Sequence, residues 1–245
     1  MRLTLARRAS AEFAGTALLV AAVVGSGIAA ARMSPDDVGL QLLENALATA
    51  FALGALILTF GPVSGAHFNP VVSAVDWWLG RRTGTGLTGS DLAAYATAQT
   101  TGAIGGCVLA NLMFDLPAVA WSQTHRQGGN LWLAEVVATA GLVVLVFALA
   151  RNGRTSAAPA AVGAYIGAAY WFTSSTSFAN PAVTIGRTVT DTFAGIAPIS
   201  VPGFVIAQLV GGLLAVAALA AWYPGAGRAA DAVLMPQLAQ ESDTR

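Results

Sequence analysis

Six mostly apolar runs, near 10–31, 41–61, 91–113, 131–150, 157–174 and 201–223, dominate this chain of 245 residues and limit what it can become. A helix needs about 20 such residues to cross the hydrocarbon core of a bilayer. Backbone polar groups in that core must find partners within the protein, so long continuous runs predict helices and not a barrel. Composition agrees, with 56% hydrophobic and only 10% charged residues, against about 25% charged in soluble domains. The 12 basic residues, all Arg, balance 12 acidic ones, which removes the electrostatic footing for nucleic-acid binding. A single cysteine, Cys107, excludes an internal disulfide framework. Two histidines, His67 and His125, are too few for most His-based metal sites. The expected class is an all-α membrane protein lying in a lipid bilayer, with no cofactor and no bound metal.

Arginine placement predicts orientation, because basic residues are retained on the cytoplasmic side. Arg2, Arg7 and Arg8 precede the first run, Arg81 and Arg82 follow the second, Arg151 and Arg154 the fourth, and Arg228 the sixth. Only Arg32, Arg126 and Arg187 fall on the other side. Both termini are therefore expected in the cytoplasm, and the tail after Pro224 reads as a mobile cytoplasmic end. Arg7, Arg8, an apolar run and then Ala29-Ala30-Ala31 mimic a cleavable signal. Glu12, early in that run, argues against cleavage, as does the counterpart that this segment has later in the chain.

Three patterns occur twice in the same order. Ala11-Glu12-Phe13-Ala14-Gly15-Thr16 answers to Ala134-Glu135-Val136-Val137-Ala138-Thr139, Asn69-Pro70-Val71 to Asn180-Pro181-Ala182, and Ala98-Gln99-Thr100-Thr101-Gly102 to Ala207-Gln208-Leu209-Val210-Gly211. The chain therefore reads as a duplication, 1–120 and 121–245, with three spans in each half, which turns the second half upside down relative to the first. Each Asn-Pro pair opens a run too short to span, 69–79 and 180–190. Asn is a strong N-cap and Pro suits the first helical position, where its missing N–H had no partner to lose. Two half-helices would then enter from opposite faces, with their positive N-terminal ends near the midplane.

Together these residues resemble the aquaporin family (major intrinsic proteins), whose mark is a pair of Asn-Pro-Ala boxes at equivalent places in two inverted halves. Gly65-Ala66-His67-Phe68-Asn69-Pro70-Val71 is similar to the first box, with Val71 replacing its last Ala, and Phe178-Ala179-Asn180-Pro181-Ala182 to the second. The resemblance implies an aquaporin-like bundle of six spans plus two half-helices. It also implies passive conduction of small neutral solutes, a homotetramer with one pore per monomer, and a place in the cell membrane, here the bacterial inner membrane. Asn69 and Asn180 would each aim an amide N–H at the pore midplane, holding one passing molecule and interrupting proton relay; each could instead simply cap its helix. Glu12 and Glu135, costly inside a membrane unless paired, would support the box loops, with proton relay as the alternative. His67 would brace the first box, Gln99 and Gln208 would bridge helices or box backbones, and Gly102, Gly106, Gly163 and Gly167 would allow close helix packing.

Water-selective relatives place an Arg directly after the second box, where this chain has Val183. The family's aromatic in the second span falls on Thr49. The fifth span offers Ala168 or Tyr170, depending on whether one counts back from Asn180 or forward from Pro159, and Ser177 is the loop position. A filter of Thr49, Val183 and Ser177 would be wider than a water-only one. Arg187 lies about one turn beyond Val183 on a stripe shared with Asp191. It either reaches the filter, steadied by Asp191, or snorkels outward paired with Asp191. The implied solutes are water, glycerol, urea or metalloid acids, and the run Asp191-Thr192-Phe193-Ala194-Gly195 is similar to members handling arsenic species such as arsenite and methylated arsenicals. The rival reading is an inverted-repeat secondary active transporter, which would need a coupling-ion site. An intramembrane enzyme would need a nucleophile with its base or a metal cluster, and neither is visible.

Overall fold

The computed structural model describes residues 3–225; Arg2, Arg228 and the rest of the tail lie outside the described residues. Among those described there are eight α-helices and no strand: α1 Leu5–Met33, α2 Val38–Ser64, α3 Pro70–Gly80, α4 Gly89–Met113, α5 Gly129–Arg151, α6 Ala158–Phe172, α7 Pro181–Gly186 and α8 Val201–Trp222. Helices α1, α2, α5 and α8 are both long and apolar enough to cross a membrane. Helix α4 has 25 residues but carries Gln99 and Asn111 inside. Helix α6 has only 15 residues and is preceded by a short 3-10 turn at Thr155–Ala157.

Most of the long helices overrun the apolar stretches that announce them, because their ends are capped by polar residues. Thr4 caps α1, and Asp37 caps α2 by accepting from Leu40 N at 2.9 Å. Thr88 and Asp91 exchange hydrogen bonds in a capping box that starts α4. The Asp91 carboxylate also takes the Arg8 guanidinium at 2.9 Å, tying the starts of α1 and α4 together.

Helix α1 packs on α2 and α4, α5 packs on α8, and α2 on α6. The short helices α3 and α7 both lie against α4 and α8. Glycine sets the closest of these approaches: a Cβ on Gly102 or Gly106 would fall on the carbonyl oxygens of Phe13 or Ala17 in α1, and one on Gly163 would sit 2.6 Å from Ala50 O in α2. Small residues at helix crossings are how membrane helices gain contact when lipid is as apolar as their side chains. Gly106→Val is therefore expected to cost about 1–3 kcal/mol of overpacking, read as a lower thermal midpoint in detergent. The neighbouring Gly105→Ala, whose Cβ would meet only Phe13 Cζ at 3.9 Å, should leave the midpoint unchanged.

The first short helix runs 70–80, close to the expected 69–79. The second departs from the expected 180–190: α7 ends at Gly186, a 3-10 turn spans Arg187–Val189, and Thr190 is extended. This tightening takes Asp191 off the helical stripe of Val183 and Arg187.

Candidate pore and its lining

Two loops with the same backbone lead into α3 and α7. Ala66 and Phe68 have φ of 50° and 49°, and Ser177 and Ala179, at the same places before the second Asn, have φ of 51° and 48°. Left-handed backbone costs non-glycine residues on the order of 1–3 kcal/mol each and persists only where the surroundings impose it. Here a buried carboxyl group imposes it in each half. Glu12 accepts from His67 N (3.0 Å) and Phe68 N (2.7 Å), and Glu135 from Phe178 N (2.9 Å) and Ala179 N (2.7 Å). Both glutamates are 0% exposed.

A glutamine backs each carboxyl group. Gln99 Nε2 donates to Glu12 (2.8 Å) and to Ser73 Oγ (3.0 Å). Gln208 Nε2 donates to Glu135 (2.7 Å) and to Thr184 Oγ1 (2.9 Å). Ser73 and Thr184 stand at the same distance beyond their Asn, so extending the repeat past the boxes finds them in the sequence. Ser64 adds a fourth donor to Glu12 at 2.6 Å, and His67 Nδ1 lies 3.0 Å from Ser73 Oγ. Four donors match the four acceptor sites of a carboxylate.

Each Asn does two jobs at once. Its Oδ1 caps its own helix: Asn69 accepts from Val71 N at 2.9 Å, and Asn180 from Ala182 N at 3.0 Å and Val183 N at 3.3 Å. Its Nδ2 crosses to the other loop, Asn69 to Ala179 O and Asn180 to Phe68 O, both at 2.7 Å. The N-termini of α3 and α7 are thereby stitched tip to tip. A primary amide has two N–H donors, so one per Asn is spent on the stitch and one is left. Capping and pore lining are compatible rather than alternative.

Both Asn side chains line a cavity of about 490 Å3. Its lining includes Gly153 and Thr155 in the α5–α6 connector, His67, and the polar or filter candidates Thr49, Tyr170, Ser177, Val183 and Arg187. Its other walls are apolar, with Leu53, Val72, Leu142 and Ile166 among them. Tyr170 OH lies 3.1 Å from Thr49 Oγ1. Ala168, by contrast, is on an exposed face of α6 and does not line the cavity. Counting back from Asn180 misplaces it, because the loop before Asn180, with Thr176, Ser177 and Ala179 left-handed, does not advance like a helix.

Arg187 is 4% exposed and turned inward, with its guanidinium 3.6 Å from the centroid of the Phe178 ring and its Nε donating to Ala194 O. The expected pairing with Asp191 is absent: that carboxylate accepts from Gln123 N at 2.9 Å. An aromatic residue, Tyr170 of α6, and an arginine, Arg187 about one turn past the second box, thus both line the cavity. Phe178, which holds Arg187, was not singled out by sequence pattern, since nothing in a run of loop residues marks a stacking partner.

Two capped helix tips meeting beside a lined cavity, in a bundle of apolar helices, are the architecture of a membrane pore. The major intrinsic protein family model matches residues 1–179 and 161–243, and the chain belongs to that family. It is 54% identical over 213 residues to Aquaglyceroporin AqpS of Rhizobium meliloti (strain 1021), covering 87% of this chain and 88% of that protein. It is 31% identical over 225 residues to the glycerol uptake facilitator protein of Pseudomonas aeruginosa, covering 79% and 77%. The X-ray structure of the aquaglyceroporin from Plasmodium falciparum superposes with a TM-score of 0.65 at 18% identity over 88% of this chain and 96% of that one, a likeness of fold. The chain is a membrane-embedded, passive channel for water and small solutes.

Proposed function

We propose that the channel conducts neutral solutes larger than water, with glycerol-like polyols as the reference class and urea and undissociated metalloid acids as smaller or similar passengers. The observation that carries this is the cavity's mixed lining. Asn69, Asn180, Ser177 and Arg187 offer polar groups, while Leu53, Val72, Leu142 and Ile166 offer apolar surface. A molecule with both hydroxyls and C–H groups satisfies both kinds of surface, and a few polar groups in an otherwise apolar cavity are what orient a small ligand. The kinship with an aquaglyceroporin and a glycerol facilitator supports the same class.

In this reading Asn69 and Asn180 form the pore midplane, and Thr49, Tyr170, Ser177, Val183 and Arg187 form the filter. Glu12, Glu135 and His67 support the loops. The halves 1–120 and 121–245 are inverted repeats, a view supported by the matched contacts of their glutamates, glutamines and asparagines. Both termini face the cytoplasm of a bacterial inner membrane, in keeping with the Arg bias, and four chains assemble with one pore each. Osmotic swelling of vesicles containing the purified protein tests the solute class. Glycerol, urea and arsenous acid are expected to enter faster than in empty vesicles, and permeation by water alone would overturn the proposal.

A further inference from the structure

We propose that Arg126 is a positioning residue for Arg187, and that the channel's solute selectivity depends on it although it stands outside the cavity lining. The inference rests on the reading of Arg187 as a filter residue.

Arg126 lies in the connector between α4 and α5, which runs along the segment following α7. Ala120 N donates to Val189 O at 3.0 Å, Ser122 N to Thr188 O at 2.9 Å, and Ala197 N to Thr124 O at 2.8 Å. Within that strap the Arg126 backbone N donates to Ser200 Oγ at 3.0 Å. Its Nε donates to Gly195 O at 3.0 Å and its Nη2 to Phe193 O at 3.4 Å. The carbonyl between these two, Ala194 O, is the acceptor of Arg187 Nε. Three consecutive carbonyls are therefore shared by two guanidinium groups, the outer two by Arg126 and the middle one by Arg187.

The two arginines also share a ring. The Arg126 guanidinium is 5.2 Å from the centroid of Phe178 and that of Arg187 is 3.6 Å away. Phe204 meets the same ring edge-on at 5.1 Å and 75°. Cations stack favourably on aromatic faces, more so where water is excluded, and planar guanidinium keeps its N–H donors in a fixed fork. The Arg187 side chain forms no other protein hydrogen bond among the described residues, so its orientation over the cavity depends on Ala194 O and on Phe178. Arg126 fixes the peptides on either side of the first and touches the second. A looser 193–195 segment would let the Arg187 head drift, which changes which solutes pass and not only how many channels fold.

The test compares glycerol-to-water permeability ratios in vesicles, since the ratio is independent of the amount of folded channel. Arg187→Ala should raise the ratio. Arg126→Ala should raise it in the same direction by several-fold, Arg126→Lys should recover part of the wild-type value, and the double variant should match Arg187→Ala alone. If Arg126→Ala does not fold, Arg126→Lys and Arg126→Gln carry the same comparison. A wild-type ratio in these Arg126 variants, with only total flux reduced, would overturn the proposal, as would shifts that multiply in the double variant. An unchanged ratio in Arg187→Ala would show that Arg187 does not select among solutes, and would overturn this inference with it.

Discussion

Glu135→Ala is expected to abolish solute flux and to lower the yield of folded channel. The substitution strands the backbone N–H groups of Phe178 and Ala179 together with one N–H of Gln208, all now bonded at 2.9 Å or less. A buried donor left unsatisfied costs about 1–3 kcal/mol, so three of them cost on the order of 3–9 kcal/mol. That is comparable with the whole stability of a typical domain, about 5–15 kcal/mol. The loop also holds left-handed residues at Thr176, Ser177 and Ala179, whose strain is offset only while the carboxyl group is there. Glu135→Gln keeps one acceptor oxygen, so it should fall between alanine and wild type. Thermal unfolding in detergent and vesicle swelling read the order directly, and a Glu135→Ala channel that melts and conducts like the wild type would show that the loop is held by something else.

Glu12 and Glu135 also show why the centre of this protein was legible in its sequence. A membrane interior punishes unpaired polar groups, so a buried Glu must have a partner and a helix broken by Asn-Pro must be satisfied at its tip. Those requirements leave few solutions, and the repeat supplies each residue with a counterpart that votes for the same answer. Ser73 and Thr184 were equally readable, being matched positions that simply extend the repeat.

The residues proposed as the filter were harder to read because they lie where periodicity ends. Whether Ala168 or Tyr170 faces inward depends on how far the irregular stretch after α6 advances the chain, and left-handed residues defeat counting. Arg187 reaches the pore side because a 3-10 turn replaces the last turn of α7 and carries Asp191 away to Gln123. Arg126 has no signal of its own, since its neighbours are brought together by loop docking between segments some seventy positions apart. The rival of a coupled transporter loses ground on the same contacts. A coupling ion held by either glutamate would have to displace the loops, because both oxygens of Glu12 and of Glu135 accept from loop N–H groups.

Arg187→Ala should widen the range of solutes that pass and let small cations leak. At an effective dielectric of about 20, a unit charge passing about 5 Å from the guanidinium meets about 3 kcal/mol of repulsion. Removing it should raise cation flux about a hundredfold, at roughly 1.4 kcal/mol per factor of ten. Proton exclusion should survive better than cation exclusion. The tips of α3 and α7 still present their positive ends, each equivalent to about half a charge in a full-length helix, and the Asn69 and Asn180 amides still line the cavity. The guanidinium's volume is lost as well, so glycerol should gain more than water. Conductance and swelling measured on the same vesicles separate the two effects: a cation leak without a change in the glycerol-to-water ratio would assign Arg187 an electrostatic role alone, and neither change would place it outside the filter.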